Sequence, residues 1–190
     1  MRIVGGKFRG RAIASSEHAG LRPTSDRVRE SIFNILAHGI DEFDLAGARV
    51  IDLFAGTGAL GLEALSRGAA YCLFVEDGPE SRGLIRTNVE SFGLTGITRL
   101  FRRDATELGL AGTMAPFALA FLDPPYGKGL GEKALIGLRD GGWLVAGAVV
   151  VLEERAWAEI AWPTGFTAFD QRTYGDTQIH LAQFLTGAPP

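Results

Sequence analysis

The segment Asp123-Pro124-Pro125-Tyr126 joins a carboxylate, two rigid residues and an aromatic ring at the end of an apolar run, Phe117 to Leu122. Each residue type has a use in methylating an exocyclic base amine, a poor nucleophile because its lone pair is delocalised into the ring. The Asp123 carboxylate can accept one N–H and the Pro124 carbonyl another. Two such acceptors hold the nitrogen toward tetrahedral geometry and localise its lone pair. Pro124 and Pro125 stiffen the backbone, so the acceptors are set in advance rather than recruited. Tyr126 offers a flat ring on which a base can stack. The nitrogen then attacks an activated methyl in line, and alignment supplies much of the acceleration. Asp123 need not be a strong base, because the amine becomes acidic only as the methyl transfers. Without that chemistry, the segment is a proline-rich turn ending a buried strand.

A second constellation surrounds Asp52-Leu53-Phe54-Ala55-Gly56-Thr57-Gly58, a strand that runs into a glycine turn. Glycines let a backbone turn tightly and let a ligand approach it, and the helix behind offers free N–H groups. Residues 56–61 also match G-x-G-x-x-G, with Glu76 20 residues beyond Gly56, which is the dinucleotide-binding fingerprint. Asp52 speaks against a pyrophosphate there. A carboxylate suits the positively charged methionine end of a sulfonium cofactor better. Glu76 ends the next strand and can accept hydrogen bonds from both hydroxyls of a ribose. Asp104 ends the third strand and, with the Ala105 backbone, can face an adenine amino group. Each acid alone reads as a solvated strand end. Three at successive strand ends beside one glycine turn read as a shared nucleoside pocket.

These residues require a frame that gathers strand ends. From residue 48 onward the pattern alternates. Strands are expected over 48–54, 71–76, 97–103, 117–122 and 148–153, and helices over 59–67, 79–92 and 128–139. Two final strands, 167–174 and 178–185, turn at Gly175-Asp176. Such alternation gives a parallel sheet with helices on both faces, right-handed crossovers and a ligand crevice at the carboxyl edge. Before it, Met1 to Val4 and Phe8 to Ile13 read as a short β-hairpin. A helix then starts at Thr24 or Ser25, with Val28, Ile32, Ile35 and Leu36 on its apolar face and Gly39 as its stop. The expected organisation is a basic, RNA-facing hairpin-and-helix extension over 1–40 and a catalytic domain over 41–190.

At 190 residues with 46% hydrophobic and 22% charged side chains, the chain is ordinary for a globular protein. Cys72, the one cysteine, excludes an internal disulfide and reads as a small packed hydrophobe. His18, His38 and His180 lack metal-ligand spacing, so no metal is expected. No secretory stretch and no membrane span is visible, which points to a cytoplasmic enzyme. The net charge of −3 hides an asymmetry: residues 1–30 hold seven Lys/Arg and three Asp/Glu.

Taken together, the chain resembles the class I S-adenosylmethionine-dependent methyltransferases. Within them it is similar to the RsmD family of 16S ribosomal RNA guanine methyltransferases. The resemblance rests on Met1 to Gly6 with Gly10-Arg11, on Arg22-Pro23-Thr24, and on Arg27 to Glu30 with Phe33-Asn34. It continues through Asp52 to Gly68, Glu76, Asn88, Asp104 and Asp123 to Tyr126. It implies an α/β, Rossmann-like fold with a seven-stranded, mostly parallel sheet and an antiparallel last strand. It implies S-adenosylmethionine contacts at Asp52, Phe54, Ala55, Gly56, Gly58, Glu76, Asp104, Ala105 and Asp123. It also implies catalysis by Asp123, Pro124, Pro125 and Tyr126 on the 2-amino group of a guanine, in the small ribosomal subunit or its precursor. A monomer is expected.

The basic arm gains a use on that reading. Arg2, Lys7, Arg9 and Arg11 can clamp phosphates. Arg22, Arg27 and Arg29 can do likewise, or brace the cofactor-side loop. Arg102 and Arg103 read as a solvated strand end, and Trp143, Trp157 and Trp162 as core or hairpin packing. Glu153-Glu154 reads as a strand end that caps the segment after it. Four alternatives stay open at this point: a DNA adenine or cytosine amino-methyltransferase, a glutamine-amide methyltransferase, a nicotinamide oxidoreductase using the glycine turn, and a silent nucleotide-binding module.

Overall fold

A computed structural model describes residues 1–15 and 25–185. The Ser25 side chain accepts the Val28 N–H at 3.2 Å and opens α1, Asp26–His38. Val28, Ile32 and Leu36, one helical turn apart, bury its inner face, and Gly39 closes it. Strands and helices then alternate: β1 Arg49–Leu53, α2 Ala59–Ser66, β2 Tyr71–Val75, α3 Pro79–Ser91, β3 Thr98–Phe101, β4 Phe117–Leu122, α4 Leu130–Asp140 and β5 Leu144–Arg155. The terminal hairpin is β6 Phe166–Tyr174 and β7 Thr177–Phe184. The apolar runs of β1, β2 and β4 are almost wholly buried, as befits parallel strands covered on both faces.

The seven strands form one sheet in the order β3-β2-β1-β4-β5-β7-β6. β7 runs antiparallel to both neighbours, and the pairings among β1 to β5 are parallel. The strand order reverses between β1 and β4, which opens a crevice at their carboxyl ends. One core lies under α1, α2 and α3 and includes Ile32, Phe33, Leu62, Ile85 and Phe121. The other lies under α4 and the β3–β4 connection and includes Leu108, Leu135, Leu138 and Trp143. Among the described residues, no helix is long and apolar enough to cross a membrane.

Two expectations change. The N-terminal hairpin keeps its course but not its strands: Arg2 and Ala12 make one isolated bridge around a 3-10 turn at Gly6–Phe8. The cause is contact with α2. Gly6 has φ +72°, and a Cβ there would stand 2.0 Å from the Ser66 carbonyl oxygen, so this turn is moulded onto the helix end. In addition, β5 starts at Leu144, not at Ala148. Gly147, with φ +79°, interrupts the pattern, and the β4–β5 register shifts between Phe117 and Leu119.

Candidate active site

The glycine turn is built at the end of β1 by three left-handed residues: Phe54 at φ 58°, Gly56 at 56° and Gly58 at 79°. A side chain in that region is costly, roughly 1–3 kcal/mol, and Phe54 bears it at the cavity wall. Gly61 serves a different purpose. A Cβ there would lie 2.4 Å from Phe74 Cε1 and 2.6 Å from Cys72 Sγ, so this glycine lets α2 pack on β2. Asp52 accepts the Gly61 N–H at 2.9 Å and closes the turn from beneath. Burial pushes its carboxyl up to about 8; the Gly61 N–H pulls it down and the nearby Glu76 charge pushes it up further.

Glu76 is held by both oxygens. Oε2 accepts the Gly56 N–H and Oε1 the Gly78 N–H, each at 2.8 Å. This fixes the carboxylate while each oxygen keeps further acceptor capacity. Asp104 accepts the Thr106 hydroxyl at 2.7 Å and its N–H at 2.8 Å, which lowers the Asp104 pKa. Asp123 leaves β4 next to the turn, its N–H 3.5 Å from the Leu53 carbonyl.

One cavity of about 440 Å³ collects these groups, a volume suited to a small-molecule site. Phe54, Gly56, Glu76, Asp104, Ala105 and all of Asp123 to Tyr126 line it. Asp52, Ala55 and Gly58 do not; they shape the turn from behind. Asp52 is buried beneath the turn and closes it through the Gly61 N–H. Asp77, Ser81 and Arg103 also line the cavity. Arg103 is thus more than a solvated strand end, and its guanidinium donates to the Leu108 carbonyl.

The Tyr126 loop is gripped by residues the sequence did not single out for it. The Tyr126 hydroxyl donates to Glu153 Oε1 and lies 3.1 Å from Thr177 Oγ1. Burial first, and then the Glu153 bond, push the phenol well above its ordinary pKa, so it stays a neutral donor. Glu154 Oε1 accepts the Gly127 N–H at 3.0 Å. Neighbouring strand residues point to opposite faces, so Glu153 and Glu154 hold the loop from two sides. Both are buried in β5. A pair of acids ending a buried strand was the only sequence signal, and their partner depends on sheet register.

The N-terminal segment is clamped close by. Glu63 accepts the Val4 N–H at 2.9 Å, and Ser66 Oγ accepts the Phe8 N–H at 2.9 Å. Asn88 accepts the Ala14 N–H at 2.7 Å and donates to the carbonyls of Ala14 and, at 3.0 Å, Thr57, tying the segment to the glycine turn. Arg2, Lys7, Arg9 and Arg27 are exposed. Arg11 is exposed too, but its guanidinium lies 4.3 Å from the Phe92 ring centroid and donates to the Ser91 carbonyl. Arg29 is a correction: expected at RNA, it is fully buried. It donates to the Arg2 carbonyl and to Asp26 Oδ1, and lies 3.6 Å from Glu63. No phosphate can reach it. Arg22 lies outside the described residues.

Trp143 is buried and donates to the Gly109 carbonyl at 2.8 Å, and Trp162 stands edge-on to His180. Trp157 departs from the packing expected of it and is exposed. Among the described residues, no group of His, Cys, Asp and Glu is arranged to hold a metal.

Known proteins resemble this chain in sequence and in fold. The family model described as conserved hypothetical protein 95 matches residues 1–183. Ribosomal RNA small subunit methyltransferase D of Escherichia coli is 42% identical over 154 residues, covering 80% of this chain and 74% of that protein. The solved structure of Escherichia coli yhhF superposes with a TM-score of 0.83 at 33% identity, covering 98% of each chain. An RNA methyltransferase from Salinibacter ruber, solved with S-adenosyl-L-homocysteine, shares the fold at 16% identity. Its TM-score is 0.65, over 88% of this chain and 96% of that one.

Proposed function

From the premise that this chain belongs to the conserved hypothetical protein 95 family, the family of ribosomal RNA small subunit methyltransferase D, we propose that it methylates the 2-amino group of a guanine in 16S ribosomal RNA. S-adenosylmethionine is the proposed donor; when bound, it supplies an electrophilic methyl on a sulfonium. Membership in a methyltransferase family removes the oxidoreductase alternative that the glycine turn had left open.

The residues present fit that donor. Glu76, fixed by two N–H groups, presents a carboxylate to a ribose diol at the end of β2. Asp104 and Ala105 line the cavity just beyond the end of β3, where an adenine amino group can be read. A positive charge in the neighbouring cavity would draw Asp52, whose carboxyl burial pushes up to about 8, toward its ionised form.

The observation that carries the reading is the convergence of Asp123, Pro124 and Tyr126 on the cavity that Glu76 and Asp104 line. Asp123 accepts one N–H of the guanine amine and the Pro124 carbonyl the other, which keeps the lone pair on nitrogen as attack begins. The ring of Tyr126, fixed through its hydroxyl by Glu153, supports the face of the base. With the donor bound, the C–S bond of its sulfonium would break as the C–N bond forms, the sulfur leaving as a neutral thioether, and Asp123 or water would take the extra proton of the ammonium-like nitrogen. Arg2, Lys7, Arg9, Arg11 and Arg27 are the proposed phosphate contacts.

The test is labelled-methyl transfer to unmodified small subunits, naked ribosomal RNA, DNA and protein in parallel, with the product digested to nucleosides. The expected product is 2-methylguanosine, with subunits preferred over naked RNA. Label in DNA or protein alone contradicts the reading.

A further inference from the structure

Trp157 is 85% exposed, an unusual state for the largest apolar side chain. Its backbone is also left-handed, with φ +69°, a conformation that bulky residues avoid. Two hydrogen bonds hold it so: the Ala156 N–H reaches the Asp176 carbonyl at 2.8 Å, and the Ala158 N–H the Arg155 carbonyl at 3.1 Å. Ala156 beside it is buried and pins the segment. The fold gains nothing from an indole here, because glycine would adopt this backbone freely and would expose no apolar surface. Strain and exposure at one residue point to a use outside the fold.

The position indicates what that use is. Arg155, the last residue of β5, pairs with Thr177 of β7, and Thr177 Oγ1 lies 3.1 Å from the Tyr126 hydroxyl. Trp157 follows Arg155 by two residues, so their Cα atoms are within about 8 Å of each other. Trp157 therefore lies at the rim of the carboxyl edge, just beyond the strand end whose neighbour Thr177 meets the Tyr126 hydroxyl. Arg155 is exposed beside it and offers a cation to a phosphate. An open aromatic face with an adjacent guanidinium matches an unstacked base and its backbone, the form in which RNA loops are read.

We infer that Trp157 is a stacking platform for an unpaired nucleobase that flanks the methylated nucleotide. The inference rests on the RNA reading above and extends it to a second contact. A base seated on Trp157 fixes the register of the strand, so the target nucleotide meets Asp123 rather than its neighbour.

The test compares Trp157→Ala, Trp157→Phe and Trp157→Gly with the wild-type chain. Steady-state methylation of small subunits gives KM and kcat, and titration gives the Kd of a naked ribosomal RNA fragment that bears the target. Trp157→Ala raises both RNA constants about 5- to 150-fold, the range of one lost base stack, and leaves cofactor affinity unchanged. Trp157→Phe stays within a few-fold of wild type. Trp157→Gly binds RNA as poorly as the alanine variant, yet melts at a higher temperature because the strain is gone. An active wild-type enzyme whose alanine variant keeps the same RNA constants overturns the inference alone. So does a loss seen with subunits but not with the naked fragment, which would assign the indole to a protein partner. A wild-type chain that labels no RNA sinks the functional reading, and this inference with it.

Discussion

Asp52 illustrates how one residue's surroundings add a structural role that its type does not announce. Its type and place suit a carboxylate facing a cationic ligand, yet it lies beneath the turn with its oxygen on the Gly61 N–H. The folded chain keeps its proton up to about pH 8, whereas an unfolded aspartate releases it near pH ~3.9. Between those values the folded state binds more protons. The stabilisation is thus fully present below about pH 4 and is lost as the pH rises to about 8. Asp52→Asn keeps an acceptor for Gly61 and removes that loss. The melting temperature of the variant, relative to wild type, therefore climbs from about pH 5 to about pH 8. A constant difference across that range would show that Asp52 is ionised throughout. Sequence disclosed the acid but not its burial, because burial is decided by α2 closing over it.

At the scale of elements, most of the architecture was legible. Strands β1, β2 and β4 are continuous apolar runs bounded by turn residues, and α1 carries its cap and its apolar stripe in its own sequence. What stayed hidden depends on register between distant segments. Glu153 meets Tyr126 and Glu154 meets Gly127 only because β5 lies beside β4 in one alignment. Tyr126→Phe removes the hydroxyl anchor but keeps the ring, so its kcat falls by about 10- to 150-fold, the scale of one hydrogen bond to a charged group. Glu153→Ala removes the same bond while Glu154 still holds Gly127, so it lowers kcat to a similar extent with cofactor affinity retained; equal activity in both variants and wild type would mean that the anchor is dispensable. The α2–β2 contact gives a second check. Gly61→Ala forces a methyl against Phe74 and Cys72, at a cost of about 1–3 kcal/mol in unfolding free energy. Unchanged stability by denaturant titration would mean that the helix shifts at no cost.

Across the whole molecule, the N-terminal segment is joined to the sheet domain through buried charge. Glu63 lies between Arg29, at 3.6 Å, and Arg67, at 2.8 Å, while also receiving the Val4 N–H. Such a cluster is costly to break, because the group left behind stays buried. Arg29→Met therefore destabilises the protein by about 3–5 kcal/mol while leaving the salt dependence of RNA binding unchanged, since Arg29 touches no phosphate. A shallower salt slope at native stability would restore it to the RNA-contacting set. The sequence placed Arg29 among the basic residues of the arm; its helical spacing to Ile32, Phe33 and Leu36 sets it on the buried face, unlike Arg27, but does not name its partner. Its partner sits on α2, 34 positions away.

The proposed chemistry depends on Asp123 and the Pro124 carbonyl holding the attacking amine, separately from cofactor capture. Single-turnover methyl transfer to small subunits by Asp123→Ala, measured beside the Kd for S-adenosylmethionine, isolates that grip. The expected rate is at least about 100-fold below wild type, the scale of one lost preorganised contact, with the Kd changed by no more than a few-fold. A variant that transfers methyl at the wild-type rate, or one whose defect lies wholly in cofactor binding, would show that the amine is not held this way.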